Sequence, residues 1–159
     1  MAYALAQTLI ATPIGIVRVT ANGEALSAIS IEAEGDATSL ETPLLREAAR
    51  QLAAYFAGGL TEFDLPVAPL KSARGAILRQ AIGSIGYGET QSYGELARRF
   101  DSGPRAIGQA CARNPFPIIV PCHRVIGSGG ALGFYSGGKG VATKEWLIAH
   151  ERANASRRR

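Results

Sequence analysis

The chain has 159 residues, 47% of them hydrophobic, with two cysteines, two histidines and a formal net charge of +4. That length carries one domain, or one domain with a smaller companion, and is enough to bury a core. No apolar run approaches the ~18 residues of a membrane span, Met1-Ala2-Tyr3-Ala4 lacks the basic and apolar segments of a secretion leader, and Cys111 and Cys122 can neither frame a disulfide scaffold nor form a zinc site of usual spacing with His123 and His150. The expectation is a cytoplasmic protein away from membranes, with reduced thiols and no metal.

The charge is unevenly spread. Residues 1–65 hold three basic and eight acidic residues, a net −5, and residues 66–159 hold fourteen basic and five acidic, a net +9. A basic half attracts phosphate backbones, although charge alone does not single out a nucleic acid.

The first third reads as β structure. Leu9–Gly15, Ile16–Thr20 and Ala25–Ile31 are strand-like, and Asn22-Gly23 between the last two signals a hairpin. Glu32 to Ser39 is polar and reads as a loop. A helix follows, with Thr42 as its cap, Pro43 in its first position, Leu44, Leu45, Ala48, Leu52, Tyr55 and Phe56 on one face, and Gly58-Gly59 as its stop. Thr61 to Leu70, with Pro66 and Pro69, reads as a linker, which puts a first domain at 1–65 and a second at 70–152.

The second part reads as mostly helical. Ser72 caps a helix reaching about Ile85, and Gly86-Tyr87-Gly88 breaks it. Ser92 with Glu95 makes a capping box for the next helix, which ends near Arg99-Phe100. Asp101-Ser102-Gly103 is a turn, and Pro104 opens a helix that stops at Asn114-Pro115, a pairing that resembles a helix-turn-helix. The last helix is expected from Thr143 to His150, with a basic tail at 153–159. The fold class is α/β: a small sheet with a helix, and a mostly helical second domain.

The segment Asn114-Pro115-Phe116-Pro117-Ile118-Ile119-Val120-Pro121-Cys122-His123-Arg124-Val125-Ile126 is an apolar run ending in Cys-His-Arg. A thiol is a weak nucleophile until ionised, and a neighbouring His and Arg can supply a base and a positive field. Residues adjacent in sequence need not touch, so a buried inert cysteine and a nucleophile both stay open on this segment alone.

Pro121-Cys122-His123-Arg124-Val125 resembles the active-site signature of the O6-alkylguanine-DNA alkyltransferases. The resemblance runs from about Tyr87 to Glu151, through Tyr87-Gly88-Glu89-Thr90, Ser92-Tyr93-Gly94-Glu95-Leu96-Ala97, Arg105-Ala106-Ile107-Gly108, Arg113-Asn114-Pro115, Gly133-Phe134-Tyr135-Ser136-Gly137-Gly138 and Lys144-Glu145-Trp146-Leu147. Thr12-Pro13-Ile14-Gly15 is similar to the family's small ribonuclease-H-like domain. The resemblance implies a one-turnover repair protein without cofactor. It would act on double-stranded DNA containing O6-alkylguanine, as a monomer or cooperatively along DNA.

The resemblance also implies roles. Cys122 accepts the alkyl group, His123 takes its proton through a water, Glu151 orients His123, Asn114 holds the turn beneath the site, and Tyr93 supports the leaving guanine at N3. Carbonyls of Cys122 and Val125 read the guanine amino group, the Ser136 N–H meets O6, and Pro117 and Tyr135 wall the pocket. Arg105 fills the gap left by a flipped nucleotide, and Ala106, Gly108 and Arg113 lie on the DNA-binding helix. Cys111 reads as a structural residue. Departures from the family pattern are a turn two residues shorter than in some members between Tyr93 and Arg105, Arg79 where Trp is common, and Gly86 where Pro is common. The competing readings are a non-catalytic lesion binder, for which a residue such as Trp would replace Cys122, a cysteine hydrolase, and a DNA-binding regulator.

Overall fold

A computed structural model describes residues 6–35 and 42–157. The chain separates into two compact units, residues 1–68 and 69–159. In the first, β1 (Ala6–Thr12), β2 (Gly15–Asn22) and β3 (Ala25–Glu32) form an antiparallel sheet in the order β1-β2-β3. Val17, Val19 and Ala21 alternate into the core with Leu26, Ile29 and Ile31, the period-2 pattern of a sheet buried on one face. The helix α1 (Pro43–Phe56) packs on β1 and β2 and buries Leu45, Ala48, Leu52 and Tyr55. Its predicted cap is present: the Thr42 side chain accepts from the Leu45 N–H, and Pro43 opens the helix.

Two details of this unit differ from the sequence reading. Asn22 is still a strand residue, paired with Ala25, so the hairpin turns on Gly23-Glu24, with Gly23 at φ 68. The 61–70 segment is also no free linker. The Gln51 amide donates to the Asp64 carbonyl at 3.0 Å and accepts from the Asp64 N–H at 2.8 Å. Leu26 exchanges backbone hydrogen bonds with Pro66 and Ala68, both at 2.8 Å. Residues through 68 therefore belong to the first unit, because a buried glutamine and the open edge of β3 satisfy their backbone. The β1–β2 turn needs glycine at position 15: φ is 114°, and a Cβ would sit 2.4 Å from the Glu32 carbonyl oxygen. The predicted loop at 32–39 lies partly outside the described residues.

In the second unit, α2 (Ala73–Gly83), α3 (Tyr93–Arg99) and α4 (Pro104–Ala112) are followed by a 3₁₀ turn at Cys122–Arg124 and by α5 (Val141–Arg157). Ser72 and Ser92 cap α2 and α3 through the N–H groups of Gly75 and Glu95. The α3–α4 turn closes despite its shortness because Asp101 takes a left-handed φ of 50° and the Ser102 N–H reaches back to Ala97 at 2.8 Å. The helix-turn-helix is thus formed, with α4 packed on both α3 and α2. A two-stranded parallel pair, β4 (Gln91–Ser92) with β5 (Val125–Ile126), was not foreseen. It ties the start of α3 to the residues just after Cys122.

The last helix is much longer than expected. It begins two residues before Thr143 and runs to Arg157, so residues 153–157 are helix rather than tail; Arg158 and Arg159 lie outside the described residues. No glycine or proline follows His150 to stop it, and its buried face includes Thr143, Lys144 and Glu151, polar residues that hide the helical period. Its final turns pack on the Gly88 turn, where an added Cβ would lie 2.8 Å from that of Ala155. No helix among the described residues is long and apolar enough to cross a membrane.

Candidate active site

Cys122 opens the 3₁₀ turn after an irregular stretch, 113–121, that is mostly buried. Asn114 organises that stretch. Its amide donates to the Val120 carbonyl at 3.0 Å and to the Cys122 Sγ at 3.4 Å, while its oxygen accepts from the Phe116 N–H at 3.0 Å. Ile118, 1% exposed, is held at φ 78°. This is an unfavourable conformation for a β-branched residue, worth about 1–3 kcal/mol and sustained only where surrounding contacts over-determine it.

His123, Arg124 and Glu151 form one buried cluster. His123 Nε2 lies 2.7 Å from Glu151 Oε2, and Arg124 donates to both carboxylate oxygens, at 2.8 and 3.0 Å, and to the Ile85 carbonyl at 2.7 Å. The Gly88 N–H adds a longer contact to Glu151 at 3.3 Å. Burial opposes ionisation of Glu151, but His123 and Arg124 outweigh it and hold the carboxyl well below the usual range. Burial pushes the His123 pKa down, with Glu151 pulling partly against it, so the imidazole is neutral. A neutral ring donating from Nε2 to the carboxylate leaves Nδ1 as the basic atom. That atom is buried and has no hydrogen-bond partner among the described residues.

The sequence reading gave Arg124 the task of a positive field for the thiol. The structure gives it another: its guanidinium forms a two-pronged pair with Glu151, which neutralises it. Arg124 is thus a member of the cluster that positions His123, a role not expected from the sequence. Its place beside Cys-His was the only signal.

The remaining predicted residues divide between buried and exposed positions. Tyr93, half-buried at the start of α3, lies beside Gly108 of α4 and Gly133 of the 131–140 loop, whose added Cβ atoms would meet its ring edge and hydroxyl at 3.9 and 3.6 Å. Gly108, expected to face DNA, therefore borders Tyr93 as well. Pro117, Val125 and Tyr135 are buried and Ser136 is exposed. On α4, Arg105 is exposed and Ala106 half-buried, and Arg113 is exposed at the helix end. A cavity of about 320 Å³ runs between α2 and α4, bordered by Ala106, Gln109, Arg74, Arg79 and Arg113. Arg79 covers Phe116 with its guanidinium 5.2 Å from the ring centre, a cation–π contact. No group of three or more candidate metal ligands occurs among the described residues.

Residues 5–69 match the family model for the ribonuclease-like domain of 6-O-methylguanine DNA methyltransferase, and residues 76–153 match the model for its DNA-binding domain. The chain belongs to the 6-O-methylguanine DNA methyltransferase family. Curated methylated-DNA–protein-cysteine methyltransferases of Methanosarcina acetivorans and Mycolicibacterium paratuberculosis are 47% and 46% identical over 108 and 110 residues, 67% and 68% of this chain and 68% and 66% of theirs. The constitutive methyltransferase of Bacillus subtilis is 45% identical over 114 residues, 70% of this chain and 68% of its own. The crystal structure of the Mycobacterium tuberculosis O6-methylguanine methyltransferase superimposes with a TM-score of 0.79 at 35% identity, covering 95% of this chain and 94% of that one. The OGT of the same organism in complex with DNA gives 0.80 at 37% identity, with 92% of each chain covered.

Proposed function

We propose that the chain repairs DNA by moving an alkyl group from the O6 atom of guanine to Cys122, once per molecule. The observation that carries this reading is that one buried 3₁₀ turn presents Cys122, held by Asn114, and a neutral His123 whose ring is oriented by Glu151, in a chain of this family. The thiol proton passes to His123 Nδ1, through a water. The Cys122 sulfur bonds to the alkyl carbon as the carbon–O6 bond breaks, and the electron pair goes to the purine. The Tyr93 hydroxyl donates to N3, so the guanine does not leave as a bare anion. Carbonyls of Cys122 and Val125 accept from the guanine amino group, the Ser136 N–H meets O6, and Pro117 and Tyr135 enclose the alkyl group. The arrangement follows a Ser-His-Asp triad, with a thiol as the nucleophile.

Burial is the largest influence on the resting Cys122 and holds its thiol above the ordinary value, against the Asn114 hydrogen bond. The thiolate is therefore made during the reaction, by His123, rather than stored. Incubation with O6-methylguanine DNA tests the whole reading by intact mass: a single methyl increment, mapped to the Cys122 peptide, is expected. Repeated turnover by limiting protein would point instead to a hydrolase or a cofactor-dependent transferase.

On duplex DNA the target must leave the stack, and we assign Arg105, exposed in the first turn of α4, to stabilising the flipped state, with Ala106, Gly108 and Arg113 on the same helix against the DNA. Unstacking costs a few kcal/mol. Arg105→Ala should then slow repair of duplex DNA by about tenfold or more while leaving reaction with free O6-benzylguanine nearly unchanged. Equal losses on the two substrates would remove Arg105 from this role.

A further inference from the structure

The cavity between α2 and α4 has no part in the reaction above. Its volume of about 320 Å³ falls at the lower end of the roughly 300–1,000 Å³ of small-molecule sites. The floor is apolar: Leu78, Ile82 and Val120 border it and are buried. The rim is cationic, with Arg74 and Arg79 from α2 and Arg113 from the end of α4. No acidic residue borders the cavity among the described residues. Two of the guanidinium groups rest on neutral groups. Arg74 donates to the Ser102 hydroxyl at 3.1 Å, and Arg79 lies over the Phe116 ring. Those contacts hold the side chains at the rim without cancelling their charge.

An occupant has to answer both surfaces. A bare inorganic anion meets the arginines but leaves the apolar floor wet. An uncharged apolar molecule covers the floor but takes the guanidinium groups out of water without a counter-charge, which is unfavourable. Burial already presses Arg79 towards losing its proton, so a negative charge beside it is favoured. A flat base joined to a phosphate meets both demands, because the base buries apolar area on the floor and a guanidinium binds phosphate through two parallel hydrogen bonds. Gln109 also borders the cavity, with an amide able to donate to and accept from the edge of a base. Of the residues assigned to the alkyl transfer itself, only Asn114 touches this space, so it is a site apart from the alkyl pocket. Ala106 and Arg113, assigned above to DNA, do border it.

We propose that this cavity binds a nucleoside monophosphate, its base on the floor of Leu78, Ile82 and Val120 and its phosphate on Arg74, Arg79 and Arg113. Adenosine monophosphate is the probe, because adenine lacks the O6 atom and the amino group that the alkyl pocket is assigned to read. It is titrated into the isotope-labelled full-length protein, and the backbone amide signals are followed by NMR. Saturable shifts confined to α2 and α4 are expected. Adenosine and inorganic phosphate, which each answer one surface only, should bind about tenfold or more weakly. Ala110→Leu, which fills the cavity and keeps the arginines, should weaken the nucleotide by a similar factor. If that variant does not fold, Arg74→Ala, at an exposed position, should weaken it on the order of tenfold through the loss of one charged hydrogen bond. Shifts that never saturate, phosphate binding as tightly as the nucleotide, or an unchanged affinity in either folded variant overturns the proposal. An undamaged duplex that moves the α2 amides where the nucleotide does not would give the cavity to the DNA backbone and overturn it equally. A failure of methyl transfer to Cys122 would defeat the repair reading and leave this titration standing.

Discussion

Cys122→Ala is expected to abolish alkyl transfer while the protein still folds and binds alkylated DNA. The side chain removed is small, and the Asn114 amide keeps its bond to the Val120 carbonyl, so the cost in stability should stay near 1 kcal/mol. Activity, by contrast, has no substitute acceptor. Cys111 is the other cysteine, buried in α4, and with its thiol pushed up to about 12 it holds almost no thiolate at neutral pH. Cys111→Ala should accordingly remain active. The product expected at Cys122 is a thioether, which would offer water no carbonyl to attack, so under this proposal His123 and Glu151 serve only the forward step. Intact mass of the two variants after exposure to O6-methylguanine DNA checks this. A methyl increment on Cys122→Ala would overturn the assignment of the nucleophile.

Glu151→Gln should damage both activity and stability. The carboxylate binds His123 and both prongs of Arg124 in a site where Glu151 is 1% exposed. Replacing it leaves a buried guanidinium without its counter-charge, a class of change that costs about 3–5 kcal/mol. The glutamine amide can also donate to Nε2, which would move the ring proton to Nδ1 and remove the base. A loss of transfer rate of roughly 10²–10⁴-fold follows from the general-base contribution. The pH dependence has a definite sign. Because the folded-state pKa of Glu151 is depressed, its stabilisation is present above the ordinary carboxylate value and is lost as pH falls through the lowered one. The parent should exceed Glu151→Gln in thermal stability most at neutral pH, and the gap should narrow in acid. Melting curves from neutral to low pH read this directly, and an equal melting temperature at neutral pH would show that the cluster does not stabilise the fold.

Local chemistry made much of the molecule legible in the sequence. Thr42-Pro43, Ser72 and Ser92 marked helix starts because an N-cap needs only its own side chain and the next turn's N–H groups. The alternation of Val17, Val19 and Ala21 marked a strand because its period is set by the backbone. Asn114 and Cys122 could be paired in advance only through resemblance, since an Asn before Pro reads equally as a helix stop. The far end of α5 was illegible for a definite reason: its buried face is built from Lys144 and Glu151 beside Leu147 and Ile148, and no hydrophobic period survives such a mixture.

The sequence by itself determined the two-part organisation, the capped helices, a small β sheet and the likeness of Pro121-Cys122-His123-Arg124-Val125 to a family signature, all properties of neighbouring residues or of motif order. Only the tertiary structure decided which charge answers which. Arg124 stands beside His123 in the chain, yet its guanidinium is taken by Glu151, 27 residues away. Lys144, 19 residues beyond Val125, is brought to that carbonyl and left as a buried charge. Such pairings depend on where α5 crosses the Cys122 turn, and in a buried, low-dielectric site the few ångströms settled by that crossing determine which charge is cancelled.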